Sequence, residues 1–72
     1  MTIYNINVTW DDEARVWVAI SEDIPLALES NSYDALVERV KYAAPEIIEM
    51  NYGVTDPMTL FFKSERAEKV AL

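Results

Sequence analysis

Apolar and polar residues alternate one for one from Tyr4, with Tyr4, Ile6, Val8 and Trp10 on one side and Asn5, Asn7 and Thr9 on the other. A period of two is the signature of a β-strand with one buried face. The turn-prone run Asp11-Asp12-Glu13-Ala14 interrupts it. From Arg15 to Ile20 the alternation resumes with Val16, Val18 and Ile20 on one face, and a hairpin is the economical reading. In that hairpin Trp10 joins the buried set, whereas Trp17 falls on the opposite face with Ile3, Ala19, Ala27 and Phe61. Ser21-Glu22-Asp23-Ile24-Pro25 is a connector, because proline lacks the ladder N–H, and Leu26-Ala27-Leu28-Glu29 is long enough for a third short strand.

The period then changes to that of a helix. Ser32 is the expected N-cap, with Asn31 as rival, and Asp34 stands where a negative charge meets the positive end of the macrodipole. At 100° per residue, Tyr33, Leu36, Val37, Val40, Ala43, Ala44, Ile47, Ile48 and Met50 share one broad face, and Asp34, Glu38, Tyr42, Pro45 and Glu49 lie opposite. Pro45 on the solvent face permits one kinked helix rather than two, since the freed carbonyl of Lys41 meets water. Asn51-Tyr52-Gly53 supplies residues suited to a left-handed helix end, and Asp56-Pro57 marks a loop. Met58, Leu60 and Phe62 alternate with Thr59, Phe61 and Lys63 as a fourth strand. The tail, Ser64 to Leu72, is compatible with a helical turn, an extended strand or fraying. The fold class is therefore α+β: a small βββαβ sheet with one kinked helix on one face, in a single domain spanning 1–72.

Composition narrows the function. Seventy-two residues with 51% apolar side chains build one small core and no second one. With neither Cys nor His in the chain, disulfides, thiol chemistry, the usual zinc sites and Ser-His or Cys-His catalysis are excluded. No cofactor is expected. Met1 to Trp10 has no basic region leading an apolar run and no stretch suits a membrane span, which points to the cytoplasm. Thirteen acidic against six basic residues give a net charge of −7, which disfavours direct nucleic-acid binding and fits a basic partner.

Candidate chemistry is sparse. Asp11-Asp12-Glu13 lacks the spacing and glycine of a calcium loop and reads as a solvated turn, as does the pair Glu22 and Asp23 beside the connector. Neither has a companion nucleophile, so no catalytic or metal site is expected. One helix covers one face of a four-stranded sheet, which leaves Trp17 and Phe61 for self-association and implies a homo-oligomer.

The run Val8-Thr9-Trp10-Asp11-Asp12-Glu13-Ala14-Arg15-Val16-Trp17-Val18-Ala19 resembles the opening hairpin of the HicB-like antitoxin family. Ser21-Glu22-Asp23-Ile24-Pro25, Leu26-Ala27-Leu28-Glu29 and Ser32-Tyr33-Asp34-Ala35-Leu36 extend the similarity to roughly Ile3 to Phe62. One departure is that a glycine commonly follows the connector proline in that family, where Leu26 stands here. The resemblance implies a partial RNase H-like fold whose fourth strand lies beside the first. It also implies neutralisation of a small basic ribonuclease toxin of the HicA kind by binding it. A DNA-binding segment common in the family would find no room after Phe62. On this reading Asp11, Asp12, Glu22, Asp23, Asp34 and Glu38 steer the cationic partner. The alternatives are an orphan homo-oligomeric binding domain without a toxin partner and a metal-dependent nuclease. The nuclease reading fares poorly, because two-metal hydrolysis needs clustered carboxylates and the expected first and fourth strands offer none.

Overall fold

The computed structural model of the chain describes residues 2–71. Five elements follow one another: β1 (Thr2–Asp11), β2 (Val16–Ser21), β3 (Leu26–Ser30), α1 (Tyr33–Tyr52) and β4 (Met58–Glu65). The strands form one sheet in the order β3-β2-β1-β4, with β1 antiparallel to β2, β2 antiparallel to β3, and β4 parallel to β1. The helix lies on one face, which is the α+β order expected from the alternation. The tail continues β4 as far as Glu65, and residues 66–71 carry no regular structure. Leu72 lies outside the described residues. Among these residues no helix is long and apolar enough to cross a membrane.

The β1–β2 turn sets which face each strand presents. Asp11 pairs with Val16, and the Arg15 N–H donates to the Asp11 carbonyl at 2.8 Å, closing a four-residue loop. Inside it the Asp11 carboxylate accepts from the N–H groups of Glu13 and Ala14, as turn aspartates do. Arg15 sits in the left-handed region at φ 59°, a conformation that costs a non-glycine residue about 1–2 kcal/mol. Its ion pair with Asp12 at 2.9 Å holds it there. This register places Trp17 opposite Trp10 and Ala19 opposite Val8. Trp17 and Ala19 consequently face the helix, and Val16, Val18 and Ile20 face away, the reverse of the assignment made from the β-branched residues. Ile3, Ala27 and Phe61 do lie on the uncovered face.

At the second turn the Leu26 N–H reaches the Ile24 carbonyl at 2.8 Å, a γ-turn centred on Pro25. No glycine is needed, and β3 starts directly at Leu26 with Ser21 opposite it.

The helix is a single element that runs through Pro45. Ser32 is its N-cap, with extended backbone and a hydroxyl that accepts from the Ala35 N–H at 3.3 Å. At the other end Gly53 turns left-handed at φ 68°, where an L side chain would be strained, and its N–H returns to the Glu49 carbonyl. Leu36, Val40, Ala44 and Ile48 are fully buried at strict intervals of four. Met50, expected on that face, is 85% exposed. Pro45, expected in solvent, is half-buried and lines a shallow groove with Lys41, Met58, Leu60 and Phe62.

These four helix residues close the core with Ile6, Val8, Ala19, Ile24 and Leu26. The helix packs over β3 and β2, and the Arg39 guanidinium fastens it to the Glu29 carbonyl at 2.8 Å. Tyr4, Leu60 and Phe62 on the other two strands are half-buried under its flank. We expect Leu36→Ala to lower the urea-unfolding free energy by about 2–5 kcal/mol and Met50→Ala to change it by less than about 0.5 kcal/mol. Trp17→Ala should cost more than Phe61→Ala in the same measurement, an order that the opposite facing of β2 would reverse.

Candidate functional site

None of the described elements lies over the face of the sheet turned away from α1. Strand pairing orders its side chains into rows. Glu29, Val18, Thr9 and Glu65 form one row across all four strands, and Ala27, Ile20, Asn7 and Lys63 form the next. Asn5 lies beside Phe61, and Ile3 beside Thr59. Three of the large apolar residues on this face are substantially exposed: Ile3 at 59%, Ile20 at 48% and Phe61 at 50%. Lys63 stands 5.8 Å from the Phe61 ring and shields part of it. Apolar groups are interleaved here with the amides of Asn5 and Asn7, and the carboxylates of Glu29, Glu65 and Asp11 lie toward the hairpin end of the face.

The end of this face nearest the β2–β3 turn is fixed by side chains that complete the sheet. After Ser21, β2 turns away and leaves the backbone of Asn5 without a strand partner on that side. The Ser21 hydroxyl donates to the Asn5 carbonyl at 2.8 Å, and the Asp23 carboxylate accepts from the Asn5 N–H at 2.7 Å and from its side-chain amide at 3.3 Å. Ser21 also accepts from the Asp23 N–H, so the turn is cross-braced. Both backbone groups of Asn5 are thereby satisfied, as a ladder would have done.

At the opposite end, on the helix side, the hairpin carries an aromatic cluster. Trp10 and Trp17 meet edge to face at 5.3 Å, and Trp17 meets Tyr33 in the same way at 5.2 Å. The Tyr33 hydroxyl is hydrogen-bonded to Ser64, and the Trp10 indole N–H donates to Asp12 at 3.2 Å. The Arg66 guanidinium lies 4.3 Å from the Trp10 ring centre and 5.7 Å from that of Trp17, and Arg15 lies 5.4 Å from Trp10.

The six acids expected to steer a partner do not form one patch. Asp11 and Asp12 sit at the hairpin, where both are engaged in holding the turn. Glu22 and Asp23 sit at the other end of the sheet, and Asp23 serves the brace described above. Asp34 and Glu38 belong to α1, on the opposite layer from the open face, and Glu38 pairs with Lys41 at 3.2 Å. Phe61 is exposed on the open face as expected, whereas Trp17 is enclosed by Trp10 and Tyr33. Sequence reasoning missed Glu29 and Glu65 as acids of the open face, and it missed Arg66. The period-two pattern already contained the first two, because Glu29 shares a face with Ala27 and Glu65 with Phe61. Among the described residues no group of three or more acids is gathered as metal ligands.

Residues 3–72 match the model of a protein family described as a domain of unknown function, DUF1902. Among solved structures the chain is similar to the hypothetical protein TTHA1013 from the extremely thermophilic bacterium Thermus thermophilus. The two share 31% identity over 97% of this chain and 99% of that one, with a TM-score of 0.71. No curated protein matches the chain.

The brace yields a direct expectation. Asp23→Ala should cost about 1 kcal/mol of stability, the net worth of a hydrogen bond, and accelerate hydrogen exchange at the Asn5 amide. Glu22→Ala, one residue away, should leave that exchange rate unchanged.

Proposed function

This chain belongs to the DUF1902 family, and we propose that it is a non-catalytic, cytoplasmic protein-binding domain of the HicB-like antitoxin kind. Its partner is a small basic ribonuclease of the HicA kind, whose RNA-binding surface it covers. The observation that carries this reading is the open sheet face, where Ile3, Ile20 and Phe61 flank Asn5 and Asn7, the carboxylates of Glu29, Glu65 and Asp11 lie toward the hairpin end, and Lys63 stands beside Asn7. A surface that binds RNA is cationic, and a cationic surface is matched by carboxylates beside an apolar patch. The net charge of −7 adds long-range attraction that raises the association rate.

A second reading, self-association without a toxin, is favoured by the β4 strand. It is eight residues long and forms an edge of the sheet, the position at which a strand of another chain can add. Phe61 belongs to this strand and would join such an interface, whereas Trp17 would not.

Co-expression with the product of the adjacent gene tests the first reading. We expect relief of growth arrest and co-purification of a basic protein, both lost in Phe61→Glu while the circular dichroism spectrum is unchanged. An adjacent product without toxicity, together with no basic protein retained from the native host, would remove the antitoxin reading. Sedimentation equilibrium of the chain alone addresses the second: a dimer abolished by Phe61→Glu is its expected result, and a monomer at high micromolar concentration rejects it.

A further inference from the structure

The aromatic cluster lies on the helix side of the hairpin end, away from the open face, and its chemistry differs. Trp10 and Trp17 both present their rings to the Arg66 guanidinium, at 4.3 and 5.7 Å, and Arg15 of the same hairpin lies 5.4 Å from Trp10. Tyr33 props Trp17 from behind, and the Trp10 indole is oriented by its hydrogen bond to Asp12. The two carboxylates close by are each engaged within the chain: Asp12 pairs with Arg15 at 2.9 Å, and Glu68 accepts from the Arg66 Nε at 2.6 Å. Electron-rich ring faces select a planar cation, which can stack on them.

The occupant comes from the tail. Arg66 is the first residue after β4, and residues 66–71 carry no regular structure. We propose that the exposed surface of the Trp10–Trp17 pair is a recognition site for an arginine side chain of a basic protein partner, and that Arg66 covers it as a built-in competitor. The rings and the Asp12 bond belong to the folded hairpin, so the site persists when the tail leaves. An incoming arginine therefore exchanges one guanidinium for another, with no cavity to open and no buried charge stranded. Glu68 moves out with Arg66, and a partner must supply its own carboxylate or leave that nitrogen to water. Competition of this kind lowers the apparent affinity by the fraction of molecules whose site is free.

The inference takes the nature of its ligand from the basic partner proposed above, but its test does not require that partner. The probe is a short capped peptide containing one arginine, titrated against the intact chain with tryptophan emission as readout. A matched peptide carrying citrulline keeps the shape and removes the charge. Arg66→Ala and Arg66→Gln are expected to bind the arginine peptide about three- to tenfold more tightly than the unaltered chain, as release from a mostly occupied site requires. Trp10→Leu in the Arg66→Ala background should cancel the gain, and urea midpoints confirm that each variant is folded. Equal or weaker binding by both Arg66 variants overturns the proposal, as does equal binding of the citrulline peptide; Arg66 is then a structural lid. Binding of the peptide in a chain that captures no basic protein would retain this site and discard the antitoxin reading. Capture without peptide binding would do the opposite.

Discussion

The parallel pairing of β4 with β1 is the constraint from which the rest of the architecture follows. Parallel neighbours cannot be joined by a tight turn, so the chain must return along the whole sheet before β4 can begin. Between the end of β3 and the start of β4 that return is made by α1, whose 20 residues span about 30 Å, close to the ~33 Å of the ten-residue β1. Because β3 and β4 occupy opposite edges, the connecting helix has to pass over the sheet on one side. It settles over β3 and β2, where the residue beneath it is as small as Ala19. With only one helix available, the other face is left bare, and the surface proposed to bind a partner is a direct result of the topology.

Most of this was legible in the chain. The change from a period of two to one of 3.6 marks the sheet-to-helix transition, and Ser32 and Gly53 bound the helix by capping chemistry alone. The error at β2 has a specific cause. Val16, Val18 and Ile20 are the β-branched residues of that strand, and choosing them as the buried set follows the usual preference. Loop length decides otherwise, because any hairpin loop with an even number of residues puts Trp17 on the same face as Trp10. A strand that is apolar on both faces does not reveal by periodicity which face is covered, and here the turn outranks hydrophobicity. Met50 was misplaced for a related reason: a helical wheel gives a broad apolar arc, but contact with a narrow sheet fully buries only the stripe Leu36, Val40, Ala44 and Ile48. Pro45 was misplaced in the other direction, being half-buried beside the groove lined by Met58, Leu60 and Phe62.

The site was less legible than the fold, since its residues are brought together by register. Asp23 reads from the sequence as a solvated connector acid, yet it completes the hydrogen bonding of Asn5, a residue 18 positions away. Arg66 reads as a tail residue, yet it lies on two tryptophans from β1 and β2. No local pattern announces either contact. By contrast, the open-face acids Glu29 and Glu65 follow from strand alternation once the faces are known.

The same assignment of tasks bears on what kind of protein this is. Asp11 organises the first turn, Asp12 holds Arg15 and the Trp10 indole, Asp23 replaces a missing strand, and Glu38 pairs along the helix. Each carboxylate so used is held in place by groups that it satisfies, and these four are distributed over both ends of the sheet and both of its layers. Hydrolysis through bound metal ions requires the reverse arrangement, with several carboxylates converging on one point. Recognition has no such requirement. A large surface with an apolar centre and dispersed charges at its margin gains affinity from the centre and association rate from the margin. In a chain this small, a fold that places these four acids in turns, a brace and a helix pair still leaves one sheet face uncovered, the face proposed above to meet a partner.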